Sequence, residues 1–232
     1  MTSVTVWTSA TVASVGHQGT MLAMLRLELP GRPCHVPGQH YVVRLTAEDG
    51  YTASRSYSIA SSPDDELLEL AIERLEDGEV STYLADIAMP GDELEVRGPI
   101  GGYFIWDATT PAVCVGGGTG VVPFVSMLRY AREQGRLGLL RLAVSARTLA
   151  DLPYADEVSA VAAVVAITRE TAATGARPTG RLTGADLEPL LTPGATYFVC
   201  GSAVFAEAAT QLLLGLGVGP GEIKVERFGP SG

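Results

Sequence analysis

Hydrophobic residues follow two rhythms along this chain. In the first half they alternate with polar ones: Leu25, Leu27 and Leu29 are interleaved with Arg26 and Glu28, the period of a strand with one buried face. The same pattern predicts strands over 12–15, 21–29, 39–45, 55–61, 67–74 and 92–97. Turn pairs punctuate them at Pro37-Gly38, Asp49-Gly50, Asp77-Gly78 and Pro90-Gly91. One short helix is predicted over 81–87. Short strands at close spacing, with a single short helix, predict a small antiparallel barrel.

In the second half apolar runs alternate with helical spacing. Strands are predicted over 113–115, 139–145, 161–168, 196–200 and 222–225. Helices are predicted over 121–134, with Phe124, Val125, Leu128 and Ala131 on one face, and over 203–216. This alternation predicts an α/β doubly wound parallel sheet covered on both faces. The run Val158 to Ile167, the longest apolar stretch, is too short to cross a bilayer and reads as one buried element.

Charge marks the same division. The chain has 232 residues and a net charge of −10. Residues 1–108 carry 16 acidic and 6 basic side chains, and residues 109–232 carry 10 of each. Two domains are therefore expected, 1–108 and 109–232. The acidic balance argues against a nucleic-acid partner. The N-terminal MTSVTVWTSA has no basic segment followed by an apolar one, so a cytoplasmic, non-membrane protein is expected, as a monomer. Cys34, Cys114 and Cys200 form no CxxC pair, which argues against a disulfide framework, a zinc site or an iron–sulfur cluster. His35 and His40 flank Pro37-Gly38 and read as core or surface histidines. No metal site is expected.

Between the strand Val113–Val115 and the helix beginning near Val121 lies Gly116-Gly117-Gly118-Thr119-Gly120, with Pro123 just beyond. Strand, glycine turn and helix N-terminus together suit a phosphate group, because helix-end N–H groups and the dipole attract anions. Proline is tolerated in a first helical turn. The spacing departs from strict GxGxxG, so a turn used only for tight helix–strand packing stays open on this stretch alone.

Further stretches occur in a telling order. Pro37-Gly38-Gln39-His40, Arg55-Ser56-Tyr57-Ser58, Gly78-Glu79-Val80-Ser81, Gly117 to Pro123, Cys200-Gly201-Ser202 and Glu226-Arg227-Phe228-Gly229 together resemble the ferredoxin–NADP reductase superfamily over nearly the whole chain. The resemblance implies an N-terminal flavin-binding barrel and a C-terminal pyridine-nucleotide domain. It implies that Arg55, Ser56, Tyr57 and Ser58 meet the flavin, with Ile72, Gly78, Val80, Ser81 and Thr82 also in the FAD site. It implies that Gly118, Thr119, Gly120, Pro123 and Gly201 meet the nucleotide. The GxxS signature resembles FAD-binding rather than FMN-binding members.

Each residue also has a plainer reading. Arg55, one of six basic residues in an acidic half, suits a diphosphate or a surface ion pair. Tyr57 suits a flavin ring or barrel packing, and Ser58 suits flavin N5 or a backbone bond. Ser81 suits an N-cap of the predicted helix, a position compatible with holding phosphate. The resemblance places Cys200 beside the nicotinamide, where packing needs only a small polarizable group; no nucleophilic thiol is proposed. Glu226 and Phe228 resemble the family's proton-handling acid and flavin-stacking ring, or else belong to an alternating last strand. Plant-type members end on the aromatic residue, whereas this chain runs four residues past Phe228.

Enzymes that use NAD commonly carry an acid after the second strand of the nucleotide sheet, to bind the ribose 2′-hydroxyl. Here Ser145-Ala146-Arg147-Thr148 follows that strand, and no carboxylate appears before Asp151. Ser145 and Arg147, with Arg169 and Arg181 farther on, suit a 2′-phosphate or are solvated surface charges; Glu170 would oppose phosphate if it faced the site. NADPH is expected over NADH. The expected function is a flavoprotein reductase that passes hydride from NADPH to FAD and electrons to a separate redox partner, such as a ferredoxin or oxygenase component. The alternatives are a free-flavin reductase and a non-catalytic electron-transfer subunit. Complex-forming relatives of the latter kind usually carry extra cysteines near the C-terminus, whereas the last cysteine here is Cys200.

Overall fold

The computed structural model describes residues 6–170 and 178–228. The chain divides into two compact units, Met1–Ile105 and Trp106–Gly232.

The first unit is built on six antiparallel strands: β1 (Thr8–Gln18), β2 (Leu22–Glu28), β3 (His40–Thr46), β4 (Thr52–Ser58), β5 (Leu68–Glu73) and β6 (Glu93–Ile100), with one helix, α1 (Glu79–Asp86), between the last two. Their order is β4-β3-β6-β1-β2-β5. The sheet curls so that the chain leaving β4 bridges its far edge: Ile59 pairs with Leu70, and Ala60 N–H donates to the Glu69 carbonyl at 2.8 Å. Closure removes exposed edge and encloses Leu25, Leu27, Leu68, Leu70 and Ile72, none with any exposure. Each such side chain contributes about 1.5–3 kcal/mol by leaving water.

The second unit holds five parallel strands: β7 (Ala112–Gly117), β8 (Leu140–Ala146), β9 (Val164–Ile167), β10 (Thr196–Ser202) and β11 (Ile223–Phe228). Their order, β11-β10-β7-β8-β9, reverses direction of winding between β7 and β10. The helices are α2 (Val122–Glu133), α3 (Ala155–Ser159), α4 (Gly184–Leu187) and α5 (Ala203–Gly215). Side chains of β7 alternate between the two sheet faces. Val113 and Val115 join the cluster with Ala206, Ala209 and Leu213 of α5, while Cys114 Sγ lies 3.9 Å from Met127 Sδ of α2.

Four expectations change. The run Val158–Ile167 is not one buried element: it splits between the end of α3 and the edge strand β9, and Val161 is 37% exposed. The helix expected from Val121 is preceded by a 3₁₀ turn, Gly118–Val121. Its buried face is wider than expected, since Val122 to Leu128 are all buried. The helix expected over 81–87 starts at Glu79 with Gly78 as N-cap, so Ser81 is not the cap.

Candidate functional site

In a doubly wound sheet, ligands lie at the carboxyl ends of the strands where the winding reverses, here β7 and β10. Backbone proximity accounts for the glycines gathered there. A Cβ on Gly117 would lie 2.6 Å from the Phe205 ring, and one on Gly120 would lie 2.3 Å from the Cys200 carbonyl oxygen. Gly201 is likewise hemmed in, by Phe205 at 2.6 Å and the Gly117 carbonyl at 3.1 Å. Gly118 differs: its φ is +55 and nothing stands within 4 Å of where its Cβ would be. The packing explanation therefore suffices for Gly117, Gly120 and Gly201. Gly118 instead leaves an open backbone surface, in a 3₁₀ turn with Thr119, leading to α2 with Pro123 in its first turn. The first N–H groups of a helix have no helical acceptor, so this corner fits a pyrophosphate.

Cys200 lies near the carboxyl end of β10 and is fully buried. Its ladder partner on β11 is Glu226. Glu226 Oε2 is buried and has no hydrogen-bond partner. Burial pushes the Glu226 carboxyl up to about 7. Burial, then the Glu226 charge, raises the Cys200 thiol well above its usual range, so the sulfur is held as a neutral thiol. Phe228, half-buried, pairs with Ser202 at the end of the same ladder.

At the ends of β8 and β9 the chain presents arginines. Ser145 is buried, and Arg147, Arg169 and Arg181 are exposed. Arg169 N–H donates to the Arg147 carbonyl at 2.8 Å, which carries the β8–β9 pairing past both strands. The two carboxylates nearest in sequence are already engaged. Asp151 accepts from the Thr148 amide at 3.2 Å and from its hydroxyl at 2.9 Å. Glu170 accepts from the Leu149 amide at 3.0 Å. These two contacts went unread in the sequence, although Thr148-x-x-Asp151 has the spacing of a capping pair.

In the first unit, β4 lies at one end of the sheet order and carries Arg55, Ser56, Tyr57 and Ser58. Arg55 and Ser56 are exposed and Ser58 is buried. The Arg55 guanidinium makes a bond of 2.8 Å to the neighbouring Ser54 carbonyl, not a carboxylate ion pair. Tyr57 packs against the barrel core, and its hydroxyl is buried with no partner; burial raises its pKa. An orphaned buried hydroxyl beside an exposed guanidinium is a polar surface that fits a ligand with hydrogen-bonding groups. The turn before α1 is closely knit. Ser81 Oγ accepts from the Leu75 amide and donates to the Gly78 carbonyl, both at 3.3 Å, while the Thr82 hydroxyl donates to the Leu75 carbonyl at 3.1 Å. Both hydroxyls therefore brace the turn. Ile72 sits wholly within the core, side chain and main chain alike, so nothing in the fold offers it to a ligand.

Gln39 and His35 have structural environments. Gln39 accepts from the Val36 amide at 2.8 Å and donates to the Gly101 carbonyl at 2.7 Å. His35 is buried against the Ser61 carbonyl at 3.1 Å, and burial chiefly lowers its pKa to about 4. Among the described residues no group of three metal-ligating side chains is found.

Comparison with known proteins agrees with this division. Residues 10–105 match the oxidoreductase FAD-binding domain family, and residues 114–211 match the oxidoreductase NAD-binding domain family. The reductase component, ferredoxin–NAD(P)(+), of naphthalene 1,2-dioxygenase/salicylate 5-hydroxylase systems from Ralstonia sp. is 32% identical over 96% of this chain and 69% of its own. This chain belongs to the ferredoxin–NADP reductase-like superfamily. Its two domains make it an NAD(P)H-dependent FAD oxidoreductase. The naphthalene 1,2-dioxygenase system reductase component of Pseudomonas putida is 30% identical over 84% of the chain, which spans 61% of that protein. A ferredoxin NADP+ reductase from Neisseria gonorrhoeae shares the fold, with a TM-score of 0.80 at 21% identity over 95% of this chain and 98% of that one. No described helix is long and apolar enough to cross a membrane.

Proposed function

We propose that this chain is the reductase of a multicomponent redox system, taking hydride from NADPH and delivering electrons to a separate acceptor protein. The observation that carries this is that two of the five buried polar side-chain atoms without partners among the described residues, Tyr57 Oη and Glu226 Oε2, stand one at each expected cofactor face. Buried polar groups are ordinarily hydrogen-bonded, so each suits a surface completed by a ligand.

FAD, when bound, supplies the redox chemistry, accepting a hydride and releasing electrons singly. The chain's residues bind and orient. Residues 1–108 are assigned to the flavin. Arg55 holds the diphosphate with Gly78, Val80, Ser81 and Thr82 at the start of α1, Tyr57 supports the ring, and Ser58 holds a hydrogen bond at N5. Residues 109–232 are assigned to the nucleotide. Gly118, Thr119 and Gly120 hold its pyrophosphate, Cys200 packs against the nicotinamide, and Glu226 holds a proton near neutral pH.

NADPH is favoured because Arg147 and Arg169 are exposed, whereas Asp151 and Glu170 are taken up by backbone amides. The relatives named above are ferredoxin reductase components of dioxygenase systems, which supports a ferredoxin or oxygenase component as acceptor. With −10 on the flavin-binding half, the acceptor is expected to be weakly charged or basic, or else to meet a local arginine patch contributed by the second half. All three cysteines are free, in keeping with a reducing, cytoplasmic compartment.

Stopped-flow absorbance tests the proposal. Bound flavin should bleach faster with NADPH than with NADH at matched low concentration, and recover on adding an oxidised ferredoxin. Flavin lost on gel filtration would point instead to a free-flavin reductase, and absence of bleaching to a non-catalytic subunit.

A further inference from the structure

Three segments of the nucleotide unit carry the arginines assigned to the 2′-phosphate: the one after β8 (Arg147), the one after β9 (Arg169) and the one approaching α4 (Arg181). Strands fix none of them, since β8 ends at Ala146 and β9 at Ile167. Backbone bonds continue the ladder for two residues, from Thr168 N–H to the Ala146 carbonyl at 3.0 Å and from Arg169 N–H to the Arg147 carbonyl at 2.8 Å. Beyond that point Glu170 is the junction. Its carboxylate accepts from the Leu149 amide at 3.0 Å, tying it to the Arg147 segment. Its carbonyl accepts from the Thr179 hydroxyl at 2.7 Å, tying it to the Arg181 segment two residues from the arginine. Asp151 completes the first turn by capping Thr148.

An acid adjoining three arginines would ordinarily pair with one of them or repel an incoming phosphate. Here one carboxylate oxygen is spent on a backbone amide. We infer that the Glu170 side chain is a positioning group for 2′-phosphate recognition, latching the Arg169 segment to the Arg147 segment rather than opposing the ligand. This rests on the assignment of NADPH. The latch needs an acceptor at the end of the Glu170 side chain and not its charge, and that separates it from an electrostatic role.

The test uses the full-length protein and two nucleotide fragments, adenosine 2′,5′-bisphosphate and 5′-AMP, titrated by calorimetry, so that no turnover is required. Wild type should bind the bisphosphate more tightly than 5′-AMP. If it binds both alike, the NADPH assignment fails. Given that preference, Glu170→Ala should weaken bisphosphate binding roughly three- to tenfold, the size of one net hydrogen bond, and leave 5′-AMP unchanged. Glu170→Gln, which keeps a side-chain carbonyl acceptor, should stay within about twofold of wild type. Amide exchange at Leu149 should quicken in Glu170→Ala and be restored in Glu170→Gln. Tighter bisphosphate binding by both variants would show that Glu170 repels phosphate and overturn the latch. Unchanged binding or unchanged Leu149 exchange in Glu170→Ala would overturn it equally.

Discussion

The two units prepare for their cofactors in different ways. In the nucleotide unit the main chain forms the glycine corner: glycines at 117, 120 and 201 permit backbone approaches that any side chain would block, and open space is left at Gly118. In the barrel, side chains do so, from the strand at one end of the sheet order: Arg55 and Ser56 are exposed, and Tyr57 has a buried hydroxyl without a partner. A site made of backbone fails through collision, and a site made of side chains fails through lost contacts. Substitutions at these glycines should therefore damage fold and ligand together, and those at the exposed side chains of β4 the ligand alone.

Gly120→Val should have the largest effect. Its Cβ would stand 2.3 Å from the Cys200 carbonyl oxygen, which must force the 3₁₀ turn away from β10. A loss of about 3–5 kcal/mol in stability of the second unit is expected, as for strain the core cannot relax. Binding of adenosine 2′,5′-bisphosphate should be lost with it. A variant that melts and binds like wild type would show that the turn moves freely.

Arg55→Ala should instead leave the fold intact and release flavin. Loss of about two charge-assisted bonds, each worth about 1.5–3 kcal/mol, predicts at least a hundredfold weaker FAD binding, with unchanged circular dichroism and unchanged bisphosphate binding. Purification of Arg55→Ala with a full complement of flavin would remove the assignment.

Glu226 gives the comparison a pH dependence. Its folded-state pKa, about 7, lies above its ordinary carboxylate value, so the folded protein keeps a proton that the unfolded chain has released. The stability this residue contributes is fully present below about pH 4.5 and is lost as pH rises through about 7. The difference in stability between wild type and Glu226→Gln should change by up to about 3 kcal/mol across that window and level off above it. Chemical denaturation at several pH values measures it, and a flat difference would mean that Glu226 is hydrated and normally acidic.

Arg147→Ala should have the smallest effect and the most selective. NADPH should lose about 1.5–3 kcal/mol of binding, read as a higher KM, while NADH changes little. Equal losses with both nucleotides would make Arg147 a general surface charge.

Local patterns determined much of this molecule. The alternation in Leu25–Leu29, the Asp49-Gly50 turn between β3 and β4, and the switch to helical spacing after Gly120 each follow from neighbours a few residues apart, and they determined the barrel, the parallel sheet and the glycine corner. The assignment of Arg55, Tyr57 and the glycine loop to cofactors came from resemblance, because those residue types serve equally well as surface charge, core and packing.

What only the tertiary structure decided depends on residues far apart in the chain. The sequence could not show that Gly120 lies against the Cys200 carbonyl, eighty positions away. Nor could it show that Glu226 is buried without a partner next to Cys200, since burial depends on what covers a strand. Ser81 was misread as a cap because a serine near a helix start satisfies the local rule, whereas the fold gives that place to Gly78 and turns the Ser81 hydroxyl back to Leu75. Glu170 looked like a charge opposed to phosphate, and its partner, the Leu149 amide, lies on a neighbouring loop. Sequence supplies the groups and their local geometry. The free energy of a buried or bonded polar group is set by distant neighbours, and only the folded chain brings those together.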